Sequence, residues 1–294
     1  MEYRLLDGKA TAARLRAEIT AEVEQIVKNG GRRPALTAIL VGNDPASQTY
    51  VANKDKSCKE VGFAGDVLRL PETTTQEELI EIVNDINANS SIDGLIVQLP
   101  LPKHINPQAV IAAISPDKDV DGFHPQSAGK MMLGEETFLP ATPMGIMTLL
   151  KEYKINTAGM NCVVLGRSNI VGRPMANLLS QKGIPGDCTV TMCHSRTKDL
   201  AKYTREADII VAALGIPNFL SADMVKEGAI IVDVGINSVE DKSRKSGYRL
   251  VGDVDFDAVA PKCSYITPVP GGVGPMTIVS LMQNTLKAYK AKAL

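Results

Sequence analysis

Short apolar runs alternate with stretches whose apolar residues recur every three to four positions, from one end of the chain to the other. The first pattern marks strands covered on both faces, and the second marks amphipathic helices. It predicts a helix from Gly8 to Val27, a strand from Ala35 to Val41, a helix from Ala46 to Glu60 and a strand from Asp66 to Leu70. Next come a helix opened by Thr74 or Thr75, with Glu77 or Glu78 three residues on as a capping box, and a strand from Gly94 to Leu99. Pro100, Pro102, Pro107, Pro116 and Pro125 then crowd the chain, and they mark connections rather than central strands. From about Pro140 a second alternation begins, with a strand Asn161 to Leu165, a helix Pro174 to Gln181, a strand Thr189 to Cys193 and a helix Asp199 to Glu206. Strands Asp208 to Leu214 and Ala229 to Val234 follow, and an apolar-striped helix from Pro275 to Ala293 ends the chain behind Gly271-Gly272-Val273-Gly274.

Strands alternating with helices specify an α/β fold with parallel sheets. The predicted organisation is a first domain over residues 1–139, completed by a returning helix over 275–294, and a second, Rossmann-type domain over 140–274. The 294 residues suffice for two domains at about 100 to 200 residues each.

Composition narrows the function more than the fold. With 22% charged residues and a net charge of −1, the chain carries no global field to recruit nucleic acid or an anionic membrane, so any anion needs a local site. The N-terminus lacks a basic segment followed by an apolar one, and the apolar runs are strand-length, so neither targeting nor membrane insertion is expected. Five cysteines, odd in number and without a CxxC pair, fit reduced thiols and a cytoplasmic protein. Cys193-His194 has no second ligand pair at finger-like spacing, so no metal site is expected.

The strand ending at Leu165 runs into Gly166-Arg167-Ser168-Asn169-Ile170-Val171-Gly172-Arg173-Pro174, a glycine turn with a proline suited to open a helix. Glycine lets backbone approach a phosphate, and the helix N-terminus offers free N–H groups. The spacing is GxSxxxG rather than GxGxxG, so the turn alone fits an ordinary strand-to-helix connection equally well. The end of the second strand decides. An acid there would take a ribose 2′-hydroxyl, whereas this chain has His194, Ser195 and Arg196, and Arg167 in the first turn supplies a second guanidinium. Two such groups can fork a 2′-phosphate, which favours NADP over NAD. Gly215 and Ile216 after the third strand, and Gly235 and Ile236 after the fourth, extend the candidate set, although plain turn glycines read the same way.

In the first domain, Ser47, Tyr50 and Lys54 share one helix face. A lysine works as an acid or base near neutrality only if its surroundings lower its pKa from about 10.4, and an exposed, solvated lysine is the commoner case. Gln98 interrupts the apolar run Ile96-Val97-Gln98-Leu99, so it is either a hydrogen-bonding core residue or a site residue facing Lys54. Asp121 precedes Gly122, which an ordinary turn would also explain. Tyr50-x-x-x-Lys54 has the spacing of the short-chain dehydrogenase pair, but there the pair follows the nucleotide turn, and here it precedes it.

Taken together, Tyr50-Val51-Ala52-Asn53-Lys54, Val97-Gln98-Leu99-Pro100-Leu101-Pro102, Asp119-Val120-Asp121-Gly122, Gly166-Arg167-Ser168 and Pro270-Gly271-Gly272-Val273-Gly274-Pro275-Met276-Thr277 closely resemble the bifunctional methylenetetrahydrofolate dehydrogenase/methenyltetrahydrofolate cyclohydrolase family, in order and spacing from about residue 5 onward. The resemblance implies a catalytic α/β domain, a Rossmann-type NADP domain, a folate cleft between them, and usually a homodimer. It implies hydride transfer from the one-carbon bridge of 5,10-methylenetetrahydrofolate to NADP, then addition of water to the methenyl cation to give 10-formyltetrahydrofolate. Lys54 would act in the hydrolytic step, Gln98 would hold it and tune its basicity, Tyr50 would stack on the folate and Asp121 would bond the pterin. Ser47, Leu99, Pro270, Gly271 and Gly272 complete the implied substrate contacts. Gly166, Arg167, Ser168, Ile170, Val171, His194, Ser195, Arg196, Gly215, Ile216, Gly235, Ile236 and Thr277 form the implied cofactor set. An NAD-dependent form, with both arginines paired to surface acids, and a folate-binding protein without turnover are the alternatives.

Overall fold

The six residues Leu36–Val41 are all buried, as a parallel strand is when helices cover both faces of its sheet. The computed structural model describes residues 3–244 and 247–293. In chain order it contains β1 (Arg4–Leu5), α1 (Gly8–Lys28), β2 (Leu36–Val41), α2 (Pro45–Glu60), β3 (Val67–Leu70), α3 (Gln76–Ala88) and β4 (Gly94–Val97). The helices α4 (Pro107–Ala113), α5 (Pro125–Leu133) and α6 (Ala141–Glu152) lead to β5 (Asn161–Leu165), α7 (Gly172–Ser180), β6 (Thr189–Cys193), α8 (Leu200–Glu206), β7 (Ile209–Ala212) and β8 (Ala229–Asp233). A ribbon β9 (Asn237–Glu240) and β10 (Tyr248–Val251), α9 (Phe256–Val259), β11 (Cys263–Ile266) and α10 (Val273–Ala293) complete it.

The chain divides into two compact units, one of Met1–Ala12 with Thr142–Thr277, the other of Ala13–Ala141 with Ile278–Leu294. Met1, Glu2, Lys245, Ser246 and Leu294 lie outside the described residues.

In the second of these units a parallel sheet of order β3-β2-β4 packs Ile39, Val41, Leu95 and Val97 against Leu79, Val83 and Ile86 of α3. α3 starts at Thr75, where the reciprocal bonds of a capping box form with Glu78. The C-terminal part of α10 belongs to this unit, and Asn284 Nδ2 donates to the carbonyls of Val120 and Leu139 at 2.8 and 3.0 Å. The proline-rich stretch, expected to be connections, holds two helices. Pro107 and Pro125 sit in the first turns of α4 and α5, where a missing N–H costs nothing, behind caps supplied by Asn106 and His124.

The other unit carries a parallel six-stranded sheet of order β1-β11-β8-β7-β5-β6, with Val163, Leu165, Ile210, Ala212 and Ile231 in its core. Its first strand is a departure from the sequence reading, which put residues 1–139 in one domain. Arg4 and Leu5 pair with Tyr265 and Ile266, and the Leu6 amide donates to the Ile266 carbonyl at 2.8 Å. Residues 4–6 therefore belong to the nucleotide-type sheet. β1 is too short for a period-2 pattern to reveal it. No helix among the described residues is long and apolar enough to cross a membrane.

Candidate active site

Helix α2 begins where Asp44 accepts the Ser47 amide at 2.7 Å, with Pro45 in the first turn. Its buried stripe runs through Ser47, Val51 and Cys58, and Lys54 falls on that stripe between Val51 and Cys58. Lys54 is consequently half-buried, while Lys56 and Lys59 are exposed and Lys59 pairs with Asp55 at 2.8 Å. Lys54 Nζ donates to Gln98 Oε1 at 3.2 Å. The other end of the glutamine amide is taken, because Nε2 donates to the Leu99 carbonyl at 2.6 Å. That bond orients the amide so that its oxygen faces the lysine. Gln98 stands just past β4 rather than inside a strand reaching Leu99. There its backbone amide bonds the Ile39 carbonyl of β2 at 2.9 Å, which fixes Gln98 at the end of the β2–β4 pair while Lys54 reaches it from α2.

Tyr50 lies on the same side of α2 with 45% of its surface exposed, while Ser47 is buried and its backbone amide is committed to the cap. Asp121 is half-buried, and its side chain makes no hydrogen bond among the described residues. The turn that carries it is built by Asp119, which is 1% exposed and accepts from the Phe123 amide, the His124 amide and Ser127 Oγ at 3.1, 2.8 and 2.7 Å. Burial pushes the Asp119 carboxyl up to about 6, against those hydrogen bonds.

The nucleotide unit presents its candidates at the C-terminal ends of β5, β6, β7 and β8. β5 lies between β6 and β7, so the strand order reverses there, which is where open α/β sheets bind ligands. Gly166 has φ +117°, and a Cβ on it would stand 2.3 Å from the Ala213 carbonyl, so only glycine fits this turn. Ser168 Oγ accepts the amides of Val171 and Gly172 at 3.2 and 3.3 Å, which shapes the entry to α7. Across the sheet the Gly166 amide bonds the Cys193 carbonyl at 2.8 Å, so the segments bearing Arg167 and Arg196 leave adjacent strands in register. His194 Nδ1 accepts the Arg196 amide at 3.2 Å, and Ser195 and Arg196 are exposed. Neither Arg167 nor Arg196 has an ion pair among the described residues. Ile170, Ile216 and Ile236 are exposed apolar side chains on the loops of the same sheet end. These residues fit a dinucleotide with a 2′-phosphate: a close backbone approach, two unpaired guanidiniums and no acid among residues 194–198 that directly follow β6.

Thr277 Oγ1 lies 2.9 Å from Thr142 Oγ1. In the preceding loop the Gly271 carbonyl accepts the Lys9 amide and the Gly272 amide donates to the Pro268 carbonyl, both at 2.8 Å, while Pro270 is exposed.

Two aspartates that the sequence reading passed over organise the nucleotide loops. Asp253, fully buried, accepts the amides of Leu214, Gly215 and Ile216 at 2.6, 2.9 and 3.0 Å and the side-chain amide of Asn237 at 2.9 Å. Asp233 accepts the amides of Gly235, Asp253 and Val254 at 3.0, 2.9 and 3.0 Å, and burial pushes its carboxyl up to about 7. Gly235, which a plain turn would explain, has a stronger reason: a Cβ there would lie 2.2 Å from Asp253 Oδ1. Asp233 sits in the apolar run Ala229–Val234, so the desolvation argument that singled out Gln98 applies to it as well.

A parallel sheet with a glycine turn at its strand-order reversal in one unit, and a lysine bonded to a glutamine amide in the other, mark the chain as a two-unit α/β protein of the nucleotide-dependent oxidoreductase class. Residues 6–121 match the family model described as tetrahydrofolate dehydrogenase/cyclohydrolase, catalytic domain, and residues 140–293 match the model of its NAD(P)-binding domain. The bifunctional protein FolD of Bacteroides fragilis is 60% identical over 286 residues, 97% of this chain and 98% of its own length. The solved structure of the bifunctional FolD enzyme from Campylobacter jejuni shares 49% identity and superposes with a TM-score of 0.93 over 99% of both chains. That of Trypanosoma brucei FolD, complexed with NADP cofactor and inhibitor, shares 40% identity with a TM-score of 0.94, covering 100% of this chain and 99% of its own. The chain belongs to the tetrahydrofolate dehydrogenase/cyclohydrolase family.

Proposed function

We propose that this enzyme oxidises 5,10-methylenetetrahydrofolate to the 5,10-methenyl form with NADP and then hydrolyses that product to 10-formyltetrahydrofolate. The observation that carries the reading is the Lys54 Nζ to Gln98 Oε1 bond of 3.2 Å on the inner stripe of α2. NADP, when bound, supplies the hydride acceptor. Gly166, Arg167, Ser168, Ser195 and Arg196 hold its phosphate end, and the loops bearing Gly215, Ile216, Gly235 and Ile236 flank the rest. The chain's part in the hydride step is alignment.

Loss of hydride leaves a cationic one-carbon bridge, which water attacks. A proton leaves the adding water, and one carbon–nitrogen bond breaks as its nitrogen takes up a proton. Lys54 Nζ handles the proton of the attacking water, and Gln98 keeps the amine pointed at one place. Tyr50 offers an open ring face for stacking on the substrate's flat rings, and Asp121 offers unpaired carboxyl oxygens to the pterin's N–H groups.

Lys54→Met tests this. Methenyltetrahydrofolate hydrolysis is expected to fall by at least about a hundredfold, the usual contribution of a positioned acid or base, while NADP-dependent oxidation falls far less. A variant that folds and keeps near-normal hydrolysis overturns the role of Lys54. Five buried cysteines without a disulfide support a reducing, cytoplasmic setting. The family resemblance supports a homodimer, which sedimentation measures directly.

A further inference from the structure

The loops after β7 and β8 come from different strands, yet one side chain holds both. Asp253 Oδ2 accepts the amides of Leu214 and Gly215, and Oδ1 accepts the Ile216 amide and Asn237 Nδ2. Three consecutive backbone N–H groups converging on one carboxyl force the chain around it into a tight arc, and Asn237 ties the start of β9 to that arc. The carboxyl is itself held. The Asp253 amide donates to Asp233 Oδ1 at 2.9 Å, the Asp233 amide donates to Thr267 Oγ1 at 2.7 Å, and Thr267 opens the segment leading to Gly271. Asp253 is fully buried and Asp233 is 3% exposed, so neither side chain is available to touch a ligand. The groups they hold, Gly215, Ile216 and Gly235, belong to the loops at the ligand-binding end of the sheet. On the other side of the strand-order reversal lie Arg167 and Arg196, whose turns are shaped by Ser168 and His194 without help from either aspartate.

We propose that Asp253, anchored by Asp233, is a positioning residue for the nicotinamide end of NADP: its carboxyl sets the shape of the 214–216 loop and locks it to Asn237. The inference rests on the NADP reading above and adds a division of labour within the nucleotide site. The adenosine-phosphate end is fixed by exposed guanidiniums, and the nicotinamide end is fixed indirectly by a buried carboxyl with four donors. An amide cannot replace that carboxyl, because it offers one acceptor oxygen and turns an NH2 group toward donors that already point inward.

The test is calorimetric titration of Asp253→Asn and Asn237→Ala with two probes, NADP and adenosine 2′,5′-bisphosphate, which carries only the phosphate end. NADP affinity is expected to fall at least about tenfold in Asp253→Asn and by a smaller factor in Asn237→Ala, with the bisphosphate bound as in wild type. In turnover, KM for NADP should rise together with a fall in kcat for oxidation, while methenyltetrahydrofolate hydrolysis stays unchanged. Equal NADP affinity in the folded variants overturns the proposal, and so does parallel loss of both probes, which marks a merely structural role. If Asp253→Asn does not fold, Asn237→Ala decides alone by the same ratio. A wild-type chain that binds neither probe sinks the NADP reading itself, a separate failure.

Discussion

Asp119 and Asp121 flank one valine, and their surroundings give them different tasks. Asp121 keeps its oxygens unpaired, whereas Asp119 spends its own on the turn. Burial lifts Asp119 from the ordinary 3.8 to about 6, with Asp121 adding to the rise. A raised value in the folded protein means that the protonated form is favoured there. The stability it contributes is complete below the unfolded value and disappears as pH climbs through about 6. The shift corresponds to roughly 3 kcal/mol. Asp119→Asn is therefore expected to lose less stability than wild type between about pH 4 and 6.5, read from urea midpoints, and parallel curves in the two proteins would exclude the assignment. Residue-level legibility was uneven for a physical reason. Gln98 stood out because polar groups in buried strands need partners, and the partner is Lys54. Asp253 follows Gly252 in Val251-Gly252-Asp253-Val254-Asp255, where an acid beside a glycine looks like any turn residue. Its four donors come from segments far away in the chain.

At the scale of elements, local chemistry explains where helices begin. The Asp44 cap fixes the start of α2, while the spacing of Lys54 from the buried Val51 and Cys58 places it on the inner stripe. Asp44→Ala should lower stability by about 1 kcal/mol, measured as a drop in Tm, with cyclohydrolase turnover preserved because Lys54 and Gln98 lie well past the cap. Restored stability in Asp44→Ser would confirm that the loss is the cap. The Thr75 to Glu78 box and the glycine turn at Gly166 were legible because each signal is confined to a few neighbouring residues. The helices α4 and α5 were not, since a proline that ends one segment and a proline that opens the next look alike until the cap before it is seen. β9, β10 and β11 were missed too, being four residues each with mixed exposure, too short for periodicity to show.

For the whole molecule, the informative element is the one that begins the chain. Leu6 is fully buried beside a strand that completes the nucleotide sheet through β11. Leu6→Ala should cost about 3 kcal/mol. The loss should appear in hydrogen exchange as faster amides in β11 and β8 and unchanged ones in β2 and β4; the reverse distribution would assign residues 4–6 to the other unit. The sequence by itself determined the α/β class, the parallel sheets, the nucleotide turn, the preference for a 2′-phosphate and the candidacy of Lys54. All of these rest on neighbouring residues whose spacing carries the physics. Only the tertiary structure decided that Gln98 turns its oxygen to Lys54, that residues 4–6 join β11 of the nucleotide sheet, and that Asp253 gathers four donors. Those facts depend on which distant segments meet, and pairing between distant segments leaves no local period to read.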